Sequence, residues 1–156
     1  MSEAPWNFSW VVPQELCVFA CPGSTANVRF LVDSARVRHL VTLSRSHRPP
    51  PDALRDSPEL QWTLIDVQEF EPPTLQQMQQ FIDICKKARD QNQAVGVHCR
   101  MGRGRSGVMA ACYLLHFCHL TPGTAVANLR LQRPGSVETY AQERAVHAYF
   151  DYIRSL

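Results

Sequence analysis

Short β-branched and aromatic runs punctuate the first two thirds of the chain, and apolar positions at helical spacing dominate the last third. Phe8 to Val12 and Leu16 to Ala20 read as short strands about a turn at Pro13. Cys21-Pro22-Gly23 breaks that pattern, and Ser24 or Thr25 then caps a helix running to about Ala35. Val37 to Leu43 and Gln61 to Val67 are β-branched strands. Thr74 precedes Gln77 by three residues, a capping box, and the helix it starts carries Leu75, Met78, Phe81, Ile82 and Cys85 on one face. Ala94 to His98 reads as a buried strand. The segment from Arg105 to Leu120 is a helix that is apolar on most sides. Pro122 opens another helix, which ends near Arg133-Pro134-Gly135, and Ser136 caps a last one through about Ile153.

Strands come first, then strand–helix alternation, then helices. That order predicts an α/β or α+β domain with a single central mixed sheet flanked by helices. A chain of 156 residues suits one domain, residues 1–156, with a sizeable core. The segment from Ser44 to Pro58, with its run Pro49-Pro50-Pro51, reads as an exposed polar connection inside that domain.

Composition narrows the function. A net charge of +2 argues against a general nucleic-acid binder, so no stable nucleic-acid partner is expected. The sequence has neither a signal-type N-terminus nor an apolar run long enough to span a bilayer, and no membrane anchor is expected. Its 6 cysteines show no paired C-x2-C spacing, which points to a reducing compartment, the cytoplasm and also the nucleus.

The most specific signal lies at the end of the buried strand: His98-Cys99-Arg100-Met101-Gly102-Arg103-Gly104-Arg105-Ser106. A cysteine, a glycine-bearing turn, an arginine six positions on and a helix are the parts of a phosphate-ester site. The Cys99 thiolate would attack phosphorus. Backbone N–H groups from Arg100, Met101, Gly102, Arg103, Gly104 and Arg105 would converge on the phosphate oxygens. Arg105 offers a planar fork for two of those oxygens, and the helix N-terminus adds positive partial charge. The same groups favour thiolate over thiol. Ser106 is placed to donate to the sulfur, and His98 to buttress the loop by hydrogen bonding. The plainer account, a structural turn over a buried cysteine, leaves three arginines in one turn unexplained.

These residues resemble the cysteine-dependent phosphatases, and among them the small atypical dual-specificity phosphatases. The likeness extends through Asn7-Phe8-Ser9-Trp10-Val11, Val37-Arg38-His39-Leu40-Val41, Ala111-Cys112-Tyr113-Leu114 and Arg133-Pro134-Gly135-Ser136-Val137-Glu138-Thr139-Tyr140. It implies the fold of that family and hydrolysis of phosphate monoesters through a phosphocysteine intermediate. It also implies phosphoprotein substrates, a monomer, and neither metal nor other cofactor. Three departures from the family pattern stand out: Ser106 replaces the usual threonine, Arg100 and Arg103 replace small or apolar residues, and Glu69 replaces the usual aspartate before Pro72-Pro73.

The leaving oxygen needs a proton, worth ~10²–10⁴ in rate. Alignment on Pro72-Pro73 favours Glu69 as the donor; Asp66 is the alternative general acid, and Glu71 reads as a solvated neighbour. Glu138 either positions the hydrolytic water or merely complements a helix dipole, and Arg133 reads as a helix C-terminal cation. Cys112, Cys118, His116 and His119 lie at helical spacing but read as core and surface positions rather than metal ligands, and Trp6 and Trp10 read as packing residues.

The leading expectation is a phosphatase for phosphotyrosine, with phosphoserine and phosphothreonine as a further class. A second reading takes Arg100 and Arg103 as cations for a polyanion: a phosphoinositide, an inositol phosphate or an RNA 5′-triphosphate. The third is a non-catalytic phosphate-binding adaptor.

Overall fold

In the computed structural model, which describes residues 3–156, β1 (Ser9–Val12), β2 (Leu16–Ala20), β3 (Val37–Thr42), β4 (Gln61–Leu64) and β5 (Ala94–Cys99) form one sheet in the order β1-β2-β5-β3-β4. β1 is antiparallel to β2, and every other pairing is parallel. The sheet is therefore mixed, as expected. β5 is central and buried along its whole length, which is why it reads as an unbroken apolar run.

The helices cover both faces: α1 (Thr25–Arg29), α2 (Pro51–Arg55), α3 (Leu75–Asp90), α4 (Arg105–Phe117), α5 (Pro122–Gln132) and α6 (Tyr140–Arg154). One core joins Val18, Val41 and Val97 to Phe81, Ile82, Met109 and Tyr149. The other packs Phe19, Leu40 and Cys17 against Val28 and Leu31. Full burial of each such side chain contributes ~1.5–3 kcal/mol.

Several boundaries move for identifiable reasons. β4 stops at Leu64, yet the amides of Ile65 and Val67 still donate to the carbonyls of Thr42 and Leu43. The chain thus follows β3 without a regular ladder and delivers Val67 to the site. Helix α1 continues as a π-helical turn over Phe30–Ser34. The connection 44–58 contains the short helix α2, opened by Pro51 in the first turn. α4 ends at Phe117 because His119 takes a left-handed conformation (φ 58) and the Leu120 amide folds back to the Leu114 carbonyl. Ser136 does not cap α6: its hydroxyl donates to the Arg133 carbonyl, Val137 turns left-handed (φ 60), and Thr139 caps the helix in a box with Gln142.

Trp10 is half-buried and packs edge-on to Phe8, whereas Trp6 is 58% exposed and is no core residue. Cys112 is in the core, and His116 Nδ1 pairs with the Tyr149 hydroxyl at 2.8 Å.

Candidate active site

β2, β3 and β5 run parallel, so their C-terminal ends meet at one edge of the sheet. There, the loop from β5 to α4 has every carbonyl from Arg100 to Gly104 turned outward and occupied. The Arg100 carbonyl accepts from the Cys21 amide (3.2 Å), and Met101 from Asn7 Nδ2 (3.1 Å). Gly102 accepts from Arg133 Nη2 (2.6 Å), while Arg103 and Gly104 accept from the Val137 and Val108 amides (both 3.0 Å). Among the described residues, no amide from Met101 to Arg105 has a protein acceptor. With the carbonyls held outside, these N–H groups are left to face inward, the arrangement of an anion nest. Gly102 is essential to it: its φ is +75, and a β-carbon there would strike the Phe19 carbonyl at 2.6–2.7 Å.

Cys99 ends β5 at the base of this loop, 3% exposed, with its sulfur 3.2 Å from the Ser106 hydroxyl. Arg105, 4% exposed, is anchored by one N–H, from Nη1 to the Val67 carbonyl at 2.8 Å. Its remaining donors stay available for oxyanions.

His98 buttresses the loop as expected, through partners that the sequence did not disclose. Its Nδ1 lies 3.1 Å from the Cys99 carbonyl and its Nε2 2.7 Å from Thr42 Oγ1, which accepts from Trp62 Nε1 at 2.8 Å. An indole N–H only donates and a carbonyl only accepts, so the chain runs one way. Trp62 donates to Thr42, Thr42 donates to His98 Nε2, and the Nδ1–H tautomer donates to Cys99. Burial pushes His98 down to about 4, which keeps it neutral and excludes it as a charged acid at neutral pH.

The two candidate acids part company. Asp66 accepts from the Arg45 amide (3.0 Å) and from Arg45 Nε (3.2 Å). The amide first, then the guanidinium and the more distant Arg105, hold Asp66 below the usual carboxylate range, a poor state for a proton donor. Glu69 instead sits against the loop, its Oε2 2.6 and 2.7 Å from Nη2 and Nε of Arg100. The segment carrying Glu69 is pinned to α6. The Thr139 hydroxyl donates to the Phe70 carbonyl (3.3 Å), and Gln142 Nε2 to the exposed Glu71's carbonyl (3.2 Å).

Glu138 lies against the loop. Its carboxylate and the Gln142 amide lie directly over Gly104, in the space a β-carbon there would need. Gln142, wholly buried, escaped sequence reading because, with Ser136 as the expected cap, it reads as one more polar residue of a surface helix; the structure starts the helix after Thr139 and puts Gln142 in its capping box.

Arg133 also escaped. It is 3% exposed, and besides Gly102 its Nη1 reaches the Asn7 and Val18 carbonyls and the Ser9 hydroxyl. Arg103 directs its guanidinium onto the Trp6 ring, 5.6 Å from the centroid. The structure therefore does not bring Arg100 and Arg103 together as an unpaired cationic rim; one is paired with Glu69 and the other stacked. Cys21 adjoins the loop, but burial, with Cys99 adding to it, pushes its thiol up to about 11, so it stays protonated.

The family of DSP-PTPase phosphatase domains of the Swiss Army Knife proteins matches residues 5–146. The chain belongs to this family. Mouse dual specificity protein phosphatase CDC14B is 27% identical over 146 residues, covering 84% of this chain and 28% of that protein. The phosphatase domain described here thus spans under a third of such relatives. Among solved structures, PTPMT1 superposes with TM-score 0.81 at 21% identity over 91% of this chain and 93% of its own; it has also been solved with PI(5)P. Kinase associated phosphatase superposes with TM-score 0.83 at 19% identity over 99% of both chains. Both share the fold of this phosphatase domain.

Proposed function

We propose that the domain hydrolyses phosphate monoesters through a phosphocysteine intermediate, acting on phosphotyrosine in proteins and also on phosphoserine and phosphothreonine. One observation carries the reading: five successive carbonyls turned out of a loop that has Cys99, Ser106 and Arg105 at its base. In the first step the Cys99 thiolate attacks phosphorus and the ester P–O bond breaks, while Glu69 gives its proton to the leaving oxygen. In the second, the Glu69 carboxylate takes a proton from water as that water attacks phosphorus. The P–S bond breaks, and Ser106 donates to the departing thiolate. Glu138 and Gln142, over Gly104, are suited to hold that water.

Within the family, the motifs around Asn7, Val37, Cys99 and Arg133 support placement nearest dual-specificity phosphatase 23. The 6 cysteines are free thiols, which supports action in a reducing compartment, cytoplasmic or nuclear, and we propose a monomer. A polyanionic substrate such as a phosphoinositide is the second reading, favoured by Arg100 at the loop rim. Its cost is release of Glu69 from the Arg100 pair.

The test is turnover of a phosphotyrosyl peptide, a phosphoseryl peptide and a phosphoinositide side by side, with Cys99→Ser as blank. The phosphotyrosyl peptide should be hydrolysed fastest. A larger kcat/KM on the phosphoinositide would reverse the two readings, and no turnover of any of the three would leave the adaptor.

A further inference from the structure

Beside the catalytic loop lies a groove of ≈ 500 Å³, lined chiefly by Arg45, Arg48, Pro49, Pro50, Leu54 and Trp62. It adjoins the site on two sides. Arg45 holds Asp66, whose carboxylate feels Arg105. Gly23, at the other wall, follows the Cys21 whose amide binds the loop's Arg100 carbonyl. The groove therefore lies within reach of a chain running out of the phosphate pocket.

Its chemistry is one-sided. Among the described residues, no acidic residue lines it. Arg48 is exposed, and its Nε donates to the Arg45 carbonyl at 2.8 Å, which orients the guanidinium without neutralising it. Among the described residues, no carboxylate pairs with Arg48, whereas Arg45 has Asp66. The floor is apolar and stiff. Pro50 is extended (φ -57, ψ 127), and Trp62, 36% exposed, is tethered through its indole N–H to Thr42, leaving the ring itself as surface. A cation on the rim above a rigid proline–tryptophan floor suits a polypeptide that places a carboxylate a few residues from an apolar side chain.

We propose that this groove is a docking site for the substrate's own polypeptide. It would take an acidic residue flanking the phosphorylated residue on Arg48 and an adjoining apolar side chain on Trp62 and Leu54. The proposal rests on the protein-phosphatase reading above and adds to it the sequence context of the substrate.

The experiment compares two phosphotyrosyl peptides, one with Glu flanks and one with Gln flanks, a phosphoinositide, and p-nitrophenyl phosphate, which is too small to reach the groove. Wild-type enzyme should prefer the acidic peptide by about two- to fivefold in kcat/KM, as expected of a partly exposed charge pair. The preference should shrink in high salt. Arg48→Glu should abolish or invert it while leaving p-nitrophenyl phosphate hydrolysis unchanged, which also reports that the variant is folded. An unaltered peptide ratio in Arg48→Glu overturns the proposal. A loss confined to phosphoinositide hydrolysis overturns it in favour of a lipid headgroup. Should neither peptide be hydrolysed, the protein-phosphatase reading fails by itself. The affinities of the two peptides for Cys99→Ser protein then decide the groove: a preference for the acidic peptide supports it, and equal affinities overturn it.

Discussion

Two buried arginines flank the catalytic loop and are used in opposite ways. Arg105, on the pocket side, gives one N–H to the Val67 carbonyl and keeps the rest of its fork for a ligand. Arg133, on the outer side, gives its two terminal nitrogens to three carbonyls and a hydroxyl, joining the N-terminal segment, β2 and the loop. Burial lowers Arg133 to about 10, still a cation at neutral pH, and no carboxylate pairs with it among the described residues. The difference teaches that burial alone does not mark a substrate-binding arginine. What marks it is donor capacity left open toward a space where an anion fits.

The comparison breaks first at the pocket. Cys99→Ser should abolish turnover, and Arg105→Lys should lower kcat/KM by ~10²–10³ with little change in urea unfolding, because an ammonium cannot reproduce the bidentate grip. A mild phenotype for Arg105→Lys would put the two arginines in one class.

Glu69→Gln should lower kcat on poor leaving groups by ~10² while sparing aryl phosphates of acidic phenols. Asp66→Asn should not show that pattern, since Asp66 is bound to the Arg45 amide and guanidinium whereas Glu69 sits against the loop at Arg100. The reverse outcome would make Asp66 the acid.

On the outer side, Arg133→Met should act on stability. It strands buried carbonyls of Val18 and Gly102, so urea unfolding should report a loss of ~3 kcal/mol. Stability equal to wild type with a collapse of kcat would assign Arg133 to the chemistry instead.

The smallest effect sharpens the frame beneath the loop. His98 has an ordinary value of 6.5 and is lowered to about 4 in the fold, so the unfolded chain takes up its proton first as pH falls. The stability it contributes is complete above pH 6.5 and is lost progressively toward pH 4, ~2 kcal/mol of it by pH 5. Urea unfolding at pH 7.5 and 5 should show that difference, and His98→Asn should remove most of it. An unchanged pH dependence in His98→Asn would place the sensitive group elsewhere.

Local chemistry in the sequence marked Cys99, Arg105, the glycine turn between them, the capping box at Thr74 and the alternation of strand and helix. Each depends on residues within about one helical turn or one strand of each other, where spacing alone dictates geometry. Tertiary structure decided what spacing cannot express. Glu69 and Asp66 differ because Arg100 and Arg45, 31 and 21 positions away, take one each. Arg133 reads as a helix-end cation until the fold brings it to Gly102, and Thr42 and Trp62 carry no sign of a site until parallel pairing sets them beside His98. A partner's distance along the chain bears no fixed relation to its distance in space. Donors and acceptors this far apart are matched only when the sheet is assembled.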